Sequence, residues 1–174
     1  MKHDFRPYLN PVFIETGSYL GDGIQAALYS GFSKVISIEL SSYYYGICKD
    51  RFKDDSRVEL VLGDSVVMLP EVIKDIHERC TFWIDAHYSG GDTATGIISV
   101  PMMEELEIIS KHEIKTHTII IDDMRAVGVG GNTSWGVLDK KKIEELILSI
   151  NSEYKIRYVF GVEPKDILIA TIDM

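Results

Sequence analysis

The sequence predicts an α/β fold, a doubly wound and mostly parallel sheet that closes with an antiparallel hairpin. Three observations lead there. Five short apolar runs each precede a helical pattern, so strands and helices alternate along the chain. The first of these units, residues 12–23, reads VFIETGSYLGDG, a strand that breaks into glycines before a helix begins at Ile24. The last two runs, 155–162 and 166–173, are joined only by a short turn at 163–165, so they pair antiparallel.

The elements follow in order. Residues 1–11 are polar with Pro7 and Pro11 and form an irregular lead-in. The first strand is 12–15. Its helix is 21–30, with Ile24, Ala27 and Leu28 on one face and Gly31 as the stop. The second strand is 34–40, KVISIEL, and Ser41 or Ser42 caps a helix over 42–53. The third strand is 57–62, followed by GDS at 63–65 and a helix over 65–78 that must accommodate Pro70. The fourth strand is 81–85, followed by a glycine-rich loop at 87–96 and a helix at 100–112. The fifth strand is 116–122, followed by a second glycine-rich loop at 124–136 and a helix at 138–151.

Bulk properties narrow the partners. A chain of 174 residues with 45% apolar content buries a real core as a single domain, residues 1–174, and is not disordered. A length of this kind also fits a domain cut from a longer protein. The net charge is −9 and no basic stripe is visible, which argues against a nucleic-acid backbone as partner. The longest purely aliphatic run, 119–121, is far below a membrane span, and the first residues lack the apolar segment of a signal peptide. Cys48 and Cys80 read as ordinary reduced thiols, so an intracellular, cytoplasmic setting is the simplest expectation. The oligomeric state is not legible.

Strand, glycine turn and helix N-terminus together bring main chain close to a nucleotide-like ligand and aim unpaired N–H groups at it. The spacing E-x-G-x-x-x-G-x-G over Glu15, Gly17, Gly21 and Gly23 departs from the G-x-G-x-x-G of dinucleotide folds. It resembles motif I of the class I S-adenosyl-L-methionine (SAM)-dependent methyltransferases. The terminal hairpin is a second point of resemblance to that fold. Glu39 ends the second strand about 20 residues beyond Gly17, where an acid accepts both ribose hydroxyls. That chemistry is common to NAD and SAM, and the plain alternative is a solvated strand-end acid. Asp64 matches the methyltransferase acid near the adenine amino group, its alternative being a helix N-cap. The resemblance implies a SAM site made of Glu15, Gly17, Ser18, Tyr19, Gly21, Gly23, Glu39, Asp64, Ser65 and Asp85.

The fourth strand ends in WIDAHYSGGD and the fifth in IIIDDM. Asp85 and the pair Asp122, Asp123 then lie at neighbouring strand tips on the ligand edge. Three carboxylates in one crevice repel one another, and a divalent cation with hard oxygen ligands relieves them, Mg²⁺ or Mn²⁺. This arrangement resembles the metal-dependent sugar O-methyltransferases of macrolide and aminocoumarin biosynthesis. The resemblance covers 12–123. It implies Asp85, Asp122 and Asp123 as metal ligands and His87, two residues after the first acid, as general base. Those enzymes carry N-terminal helices where this chain has about eleven residues before its first strand.

The expectation is therefore SAM- and metal-dependent methyl transfer to a hydroxyl of a small polyol, a sugar or glycan acceptor, with Asp85 and His87 catalytic. Two other classes remain open: an NAD-dependent oxidoreductase, and a non-catalytic interaction domain. Alternatives at single residues are a loop histidine for His87 and a cap or loop pair for Asp122 and Asp123. Tyr88, Arg125, Asn132 and Trp135 are candidate walls for the acceptor, although a lone Trp is more often packing. His3, His77, His112 and His117 show no ligand spacing, and Tyr43, Tyr44 and Tyr45 read as packing or cofactor edge.

Overall fold

A computed structural model describes residues 4–87 and 96–172. Seven strands form one sheet: β1 (Val12–Thr16), β2 (Lys34–Glu39), β3 (Val58–Leu62), β4 (Cys80–Ile84), β5 (Thr118–Ile121), β6 (Lys155–Val159) and β7 (Ile167–Thr171). Their spatial order is β3-β2-β1-β4-β5-β7-β6. The first five run parallel, and β7 is antiparallel to both β5 and β6. The hairpin is present as the turn chemistry predicts, with its second strand inserted beside β5 and its first at the sheet edge.

The helices are α1 (Asp22–Ser30), α2 (Ser42–Arg51), α3 (Ser65–Ile73), α4 (Met102–Lys111) and α5 (Lys140–Ile150). Side chains alternate across each strand, so a continuous apolar run feeds two cores. Ile119 and Ile121 join Ile14, Ile36, Phe82 and Leu106 against α3, α4 and α5. Ile120 joins Phe13, Val35, Ile24 and Trp83 against α1 and α2. The lead-in is anchored too: the Phe5 ring lies 5.0 Å from Phe13 and 5.2 Å from Trp83.

One boundary differs enough to explain. The third helix stops at Ile73 and not near 78. Pro70 lies inside it and removes one hydrogen bond. Beyond it the imidazole of His112 takes over, with Nε2 2.9 Å from the carbonyl of Ile76 and 3.2 Å from that of Ile73. His112 Nδ1 in turn lies 2.9 Å from Nε2 of the fully buried His117, whose Nδ1 accepts the Cys80 N–H at 3.0 Å. These two histidines are a packed relay that satisfies chain ends, in keeping with their lack of ligand spacing. Cys48 and Cys80 are buried free thiols. No helix among the described residues is long and apolar enough to cross a membrane.

Candidate active site

Backbone hydrogen bonds continue past the strands and set the tips side by side. Gly17 N–H donates to Ile38 O, Asp85 N–H to Thr16 O, and Asp122 N–H to Ile84 O. The first glycine of the turn, Gly17, has φ +87, and a Cβ there would meet the Asp85 carbonyl oxygen at 2.8 Å. Beneath it lies the Glu15 carboxyl, 1% exposed. Ser37 Oγ–H donates to Glu15 Oε2 at 2.5 Å, and Ser18 Oγ lies 2.6 Å from Ser37 Oγ, so two hydroxyls tie the acid to the turn. Burial pushes Glu15 up to about 8, although the Ser37 bond works the other way. A Cβ on Gly23 would sit 1.8 Å from Glu15 Oε1. The glycine at 23 is therefore demanded by the acid packed under it, a reason the spacing motif does not reveal. Gly21 is the left-handed N-cap of α1.

Glu39, at the tip of β2, accepts the Tyr19 N–H at 2.9 Å and the Ser41 N–H at 2.8 Å. Tyr19, itself left-handed at φ +46, packs its ring 4.6 Å from that of Tyr44. Glu39 thus locks the turn through two backbone N–H groups, and a carboxylate retains lone pairs for further donors. Asp64 is the N-cap of α3, as its alternative reading had it. Its Oδ1 accepts the Val66 N–H at 3.0 Å, and its Oδ2 accepts the Ile97 N–H at 2.7 Å. Ser65 is buried at the start of that helix.

The acids at the tips of β4 and β5 divide into two groups that share Asp123. Asp85, His87 and Asp123 bring one ligand atom each within 4.8 Å of one another, and so do Asp122, Asp123 and Asp166. His87 Nε2 lies 2.6 Å from Asp123 Oδ2 and 3.6 Å from Asp85 Oδ1. Arg125 Nη1 reaches Asp123 Oδ1 at 2.5 Å and Asp166 Oδ2 at 2.6 Å. Burial and the neighbouring Asp122 raise Asp85 well above the usual carboxylate range. Burial would raise Asp123 as well, but His87 and Arg125 outweigh it and hold its carboxyl low. Asp123 adopts a left-handed backbone, φ +58, of the kind found where a site imposes geometry. Trp135 packs edge-on to the His87 ring at 5.2 Å. Tyr88 lies outside the described residues, as does His3. Asn132 is exposed.

Two participants escaped the sequence reading. Asp166 is fully buried, clamps Arg125 and accepts the Val162 N–H at 2.7 Å. It precedes β7, and only the antiparallel insertion brings it to β5. Glu105, in the first turn of α4, is 0% exposed and lies among Thr16 and Ser65. Burial pushes it up to about 7, although bonds from Ser65 and Thr16 oppose that. Its spacing on an amphipathic helix offered no signal, since a Glu beside Glu104 reads as solvated face.

The cradle residues fit the expected cofactor, but the three carboxylates expected to hold a cation are not brought together as one set among the described residues: Asp85 groups with His87 and Asp123, and Asp122 with Asp123 and Asp166. Glu39, the glycine turn and the relay beneath it form a polar cradle at the tips of β1 and β2. On an octahedral ion with bonds of about 2.1 Å, adjacent donor atoms sit roughly 3 Å apart. The separations of 2.6 and 3.6 Å around His87 Nε2 bracket that spacing.

No protein-family model and no curated protein matches the sequence. Solved structures do match in shape. An O-methyltransferase from Bacillus cereus, in complex with SAH, superposes with a TM-score of 0.68 at 16% identity, covering 97% of this chain and 77% of that one. The O-methyltransferase TomG from Streptomyces achromogenes, involved in tomaymycin synthesis and in complex with SAM, gives 0.64 at 14% identity, covering 98% and 75%. Spermidine synthase from Thermotoga maritima gives 0.61 at 13% identity, covering 94% of this chain and 54% of that one. Identities this low carry the fold and not the reaction, as the mixture of a synthase with methyltransferases illustrates. The chain has the Rossmann-like fold of the SAM-dependent O-methyltransferases, a seven-stranded sheet with β7 antiparallel between β5 and β6.

Proposed function

We propose that this protein is a SAM-dependent O-methyltransferase acting on a hydroxyl of a small polyol, with a sugar or glycan the acceptor class. The observation that carries the reading is the closure of His87 on Asp123 at 2.6 Å, one strand tip away from the glycine turn and its acids. The acceptor oxygen attacks the methyl carbon of the sulfonium in line, the S–CH₃ bond breaks, and an ether and S-adenosylhomocysteine (SAH) result. The hydroxyl proton passes to His87. With Nε2–H donated to Asp123, the ring lone pair falls on Nδ1, and Asp123 stabilises the imidazolium that forms. Glu39 and the turn at Gly17 hold the ribose and amino acid portions, which fixes the direction of the methyl. Asp85 and Asp123, with Asp122 beside them, would hold a divalent cation, which would supply a lower pKa for the acceptor hydroxyl. The net charge of −9 supports a small acceptor over a nucleic acid.

A second reading of the same site is favoured by the position of His87 Nε2 between Asp85 and Asp123. There the histidine is itself a ligand and cannot serve as base. Calorimetry with SAH and with Mg²⁺ or Mn²⁺ tests both readings. SAH binding with a matching rise in Tm is expected, about 2.7 kcal/mol at one hundred times Kd. If His87 is the base, His87→Ala keeps its metal affinity, loses turnover and regains some with added imidazole. If it is a ligand, metal affinity itself drops by about tenfold or more. Absence of SAH binding overturns the methyltransferase reading, and turnover that survives EDTA removes the cation from it.

A further inference from the structure

Glu105 stands apart from the machinery described so far. Its Oε2 accepts the Thr16 hydroxyl at 3.3 Å, and the buried Ser65 hydroxyl is near enough to favour the charged carboxyl. Thr16 Oγ1 also accepts the Asp85 N–H, at 3.4 Å. One side chain from α4 therefore bonds the residue that precedes Gly17, lies beside the first residue of α3, and reaches the tip of β4 through Thr16. Of these, the turn at Gly17 belongs to the proposed SAM cradle, and the tip of β4 lies directly beside it. The carboxyl is fully buried, and its second oxygen, Oε1, has no hydrogen-bond partner among the described residues.

A buried acceptor left unsatisfied opposes folding, and an apolar side chain of the same length would pack there without that penalty. A residue kept for stability alone would not look like this. We propose that Glu105 is a positioning residue of the cofactor cradle, which holds Thr16 and Ser65 at the separation SAM requires and offers Oε1 to a donor that enters with the cofactor. The inference rests on the reading of the cleft as a SAM site.

The test separates positioning from packing by measuring stability and SAH affinity on the same proteins. Glu105→Met removes the carboxyl and keeps the volume, Glu105→Gln keeps hydrogen-bonding atoms, and Thr16→Val removes the bridging hydroxyl while preserving a strand-favouring shape. For E105M, an unchanged or higher Tm is expected together with SAH affinity lower by about tenfold or more. E105Q should recover most of that loss. T16V should weaken SAH by a comparable factor, and the double variant E105M/T16V should be little worse than either alone. Wild-type affinity in E105M and T16V overturns the inference while leaving the SAM site intact. So does a lowered Tm in E105M with normal affinity in T16V, which would mark Glu105 as packing. Failure of SAH to bind the wild type overturns the reading of the cleft, and the inference with it.

Discussion

His87 Nε2 and Asp123 Oδ2 lie 2.6 Å apart, and the other oxygen of the same carboxylate is closed by Arg125 at 2.5 Å. One acid at the tip of β5 is thus shared between an imidazole and a guanidinium that Asp166 anchors from the far side. Asp123→Asn keeps the shape and removes the charge that holds His87. Under the base reading, kcat falls by about 10²–10³-fold while the SAM KM stays within about twofold, since the cradle is untouched. Steady-state kinetics of D123N checks this, and an unchanged kcat would remove Asp123 from the reaction.

The two acids facing the glycine turn separate by stability and affinity. Glu39 accepts two backbone N–H groups and is the one aimed at the cradle. Glu39→Ala should weaken SAH binding by about 10- to 100-fold, with the loss read by calorimetry. Full affinity in this variant would return Glu39 to a plain turn-locking role.

Gly23 and Glu15 are coupled by contact. A methyl group at 23 would fall 1.8 Å from Glu15 Oε1, so Gly23→Ala should destabilise by about 2–4 kcal/mol in denaturant titration. Combined with Glu15→Ala, which vacates that space, the same substitution should cost about 1 kcal/mol or less. Additive losses would show that the glycine is required for another reason.

Stability should depend on pH through buried groups of opposite sign, of which His117 and Glu15 are the ones followed by this test. Burial lowers His117 from 6.5 to about 3, with His112, Arg79 and Lys115 adding to the effect. The unfolded chain then binds the extra proton, so stability is present above pH 6.5 and falls as pH drops towards 3. Glu15 is the reverse case, raised from 4.5 to about 8. Its contribution is present below pH 4.5 and is lost as pH rises through 8. Glu15→Gln, which cannot ionise, should remove its own share of the alkaline loss, roughly a few kcal/mol near pH 9, and leave the acid limb and the share of the other raised carboxyls, Glu105 and Asp85, as they were. Urea titrations across pH 3–9 read both limbs, and an unchanged alkaline limb in E15Q would assign it elsewhere.

Local patterns in the chain were enough for every strand, all five α-helices and the parallel-then-hairpin class of the sheet, because apolar periodicity and turn residues act over a few positions; they were not enough for the short 3-10 turn at Arg6–Tyr8. They were also enough to place Glu15, Gly17, Glu39, Asp85, His87 and Asp123 at strand tips, since a strand that ends in an acid has one carboxyl end. What these patterns lacked was distance across the sheet. The insertion of β7 beside β5 brings Asp166 to Arg125, and a residue more than forty positions away has no periodic signature. Glu105 carries no signal in the sequence, and only the packing of α4 beside Thr16 buries it. The third helix ends at Ile73, with Pro70 inside it, and a histidine from another segment meets the carbonyls of Ile73 and Ile76. Sequence alone therefore determined which residues lie at the carboxyl edge of the sheet, because that follows from local backbone geometry. Tertiary structure decided which of them share a proton, a charge or a hydrogen bond, because those energies depend on separations of a few ångströms that only the packed sheet establishes.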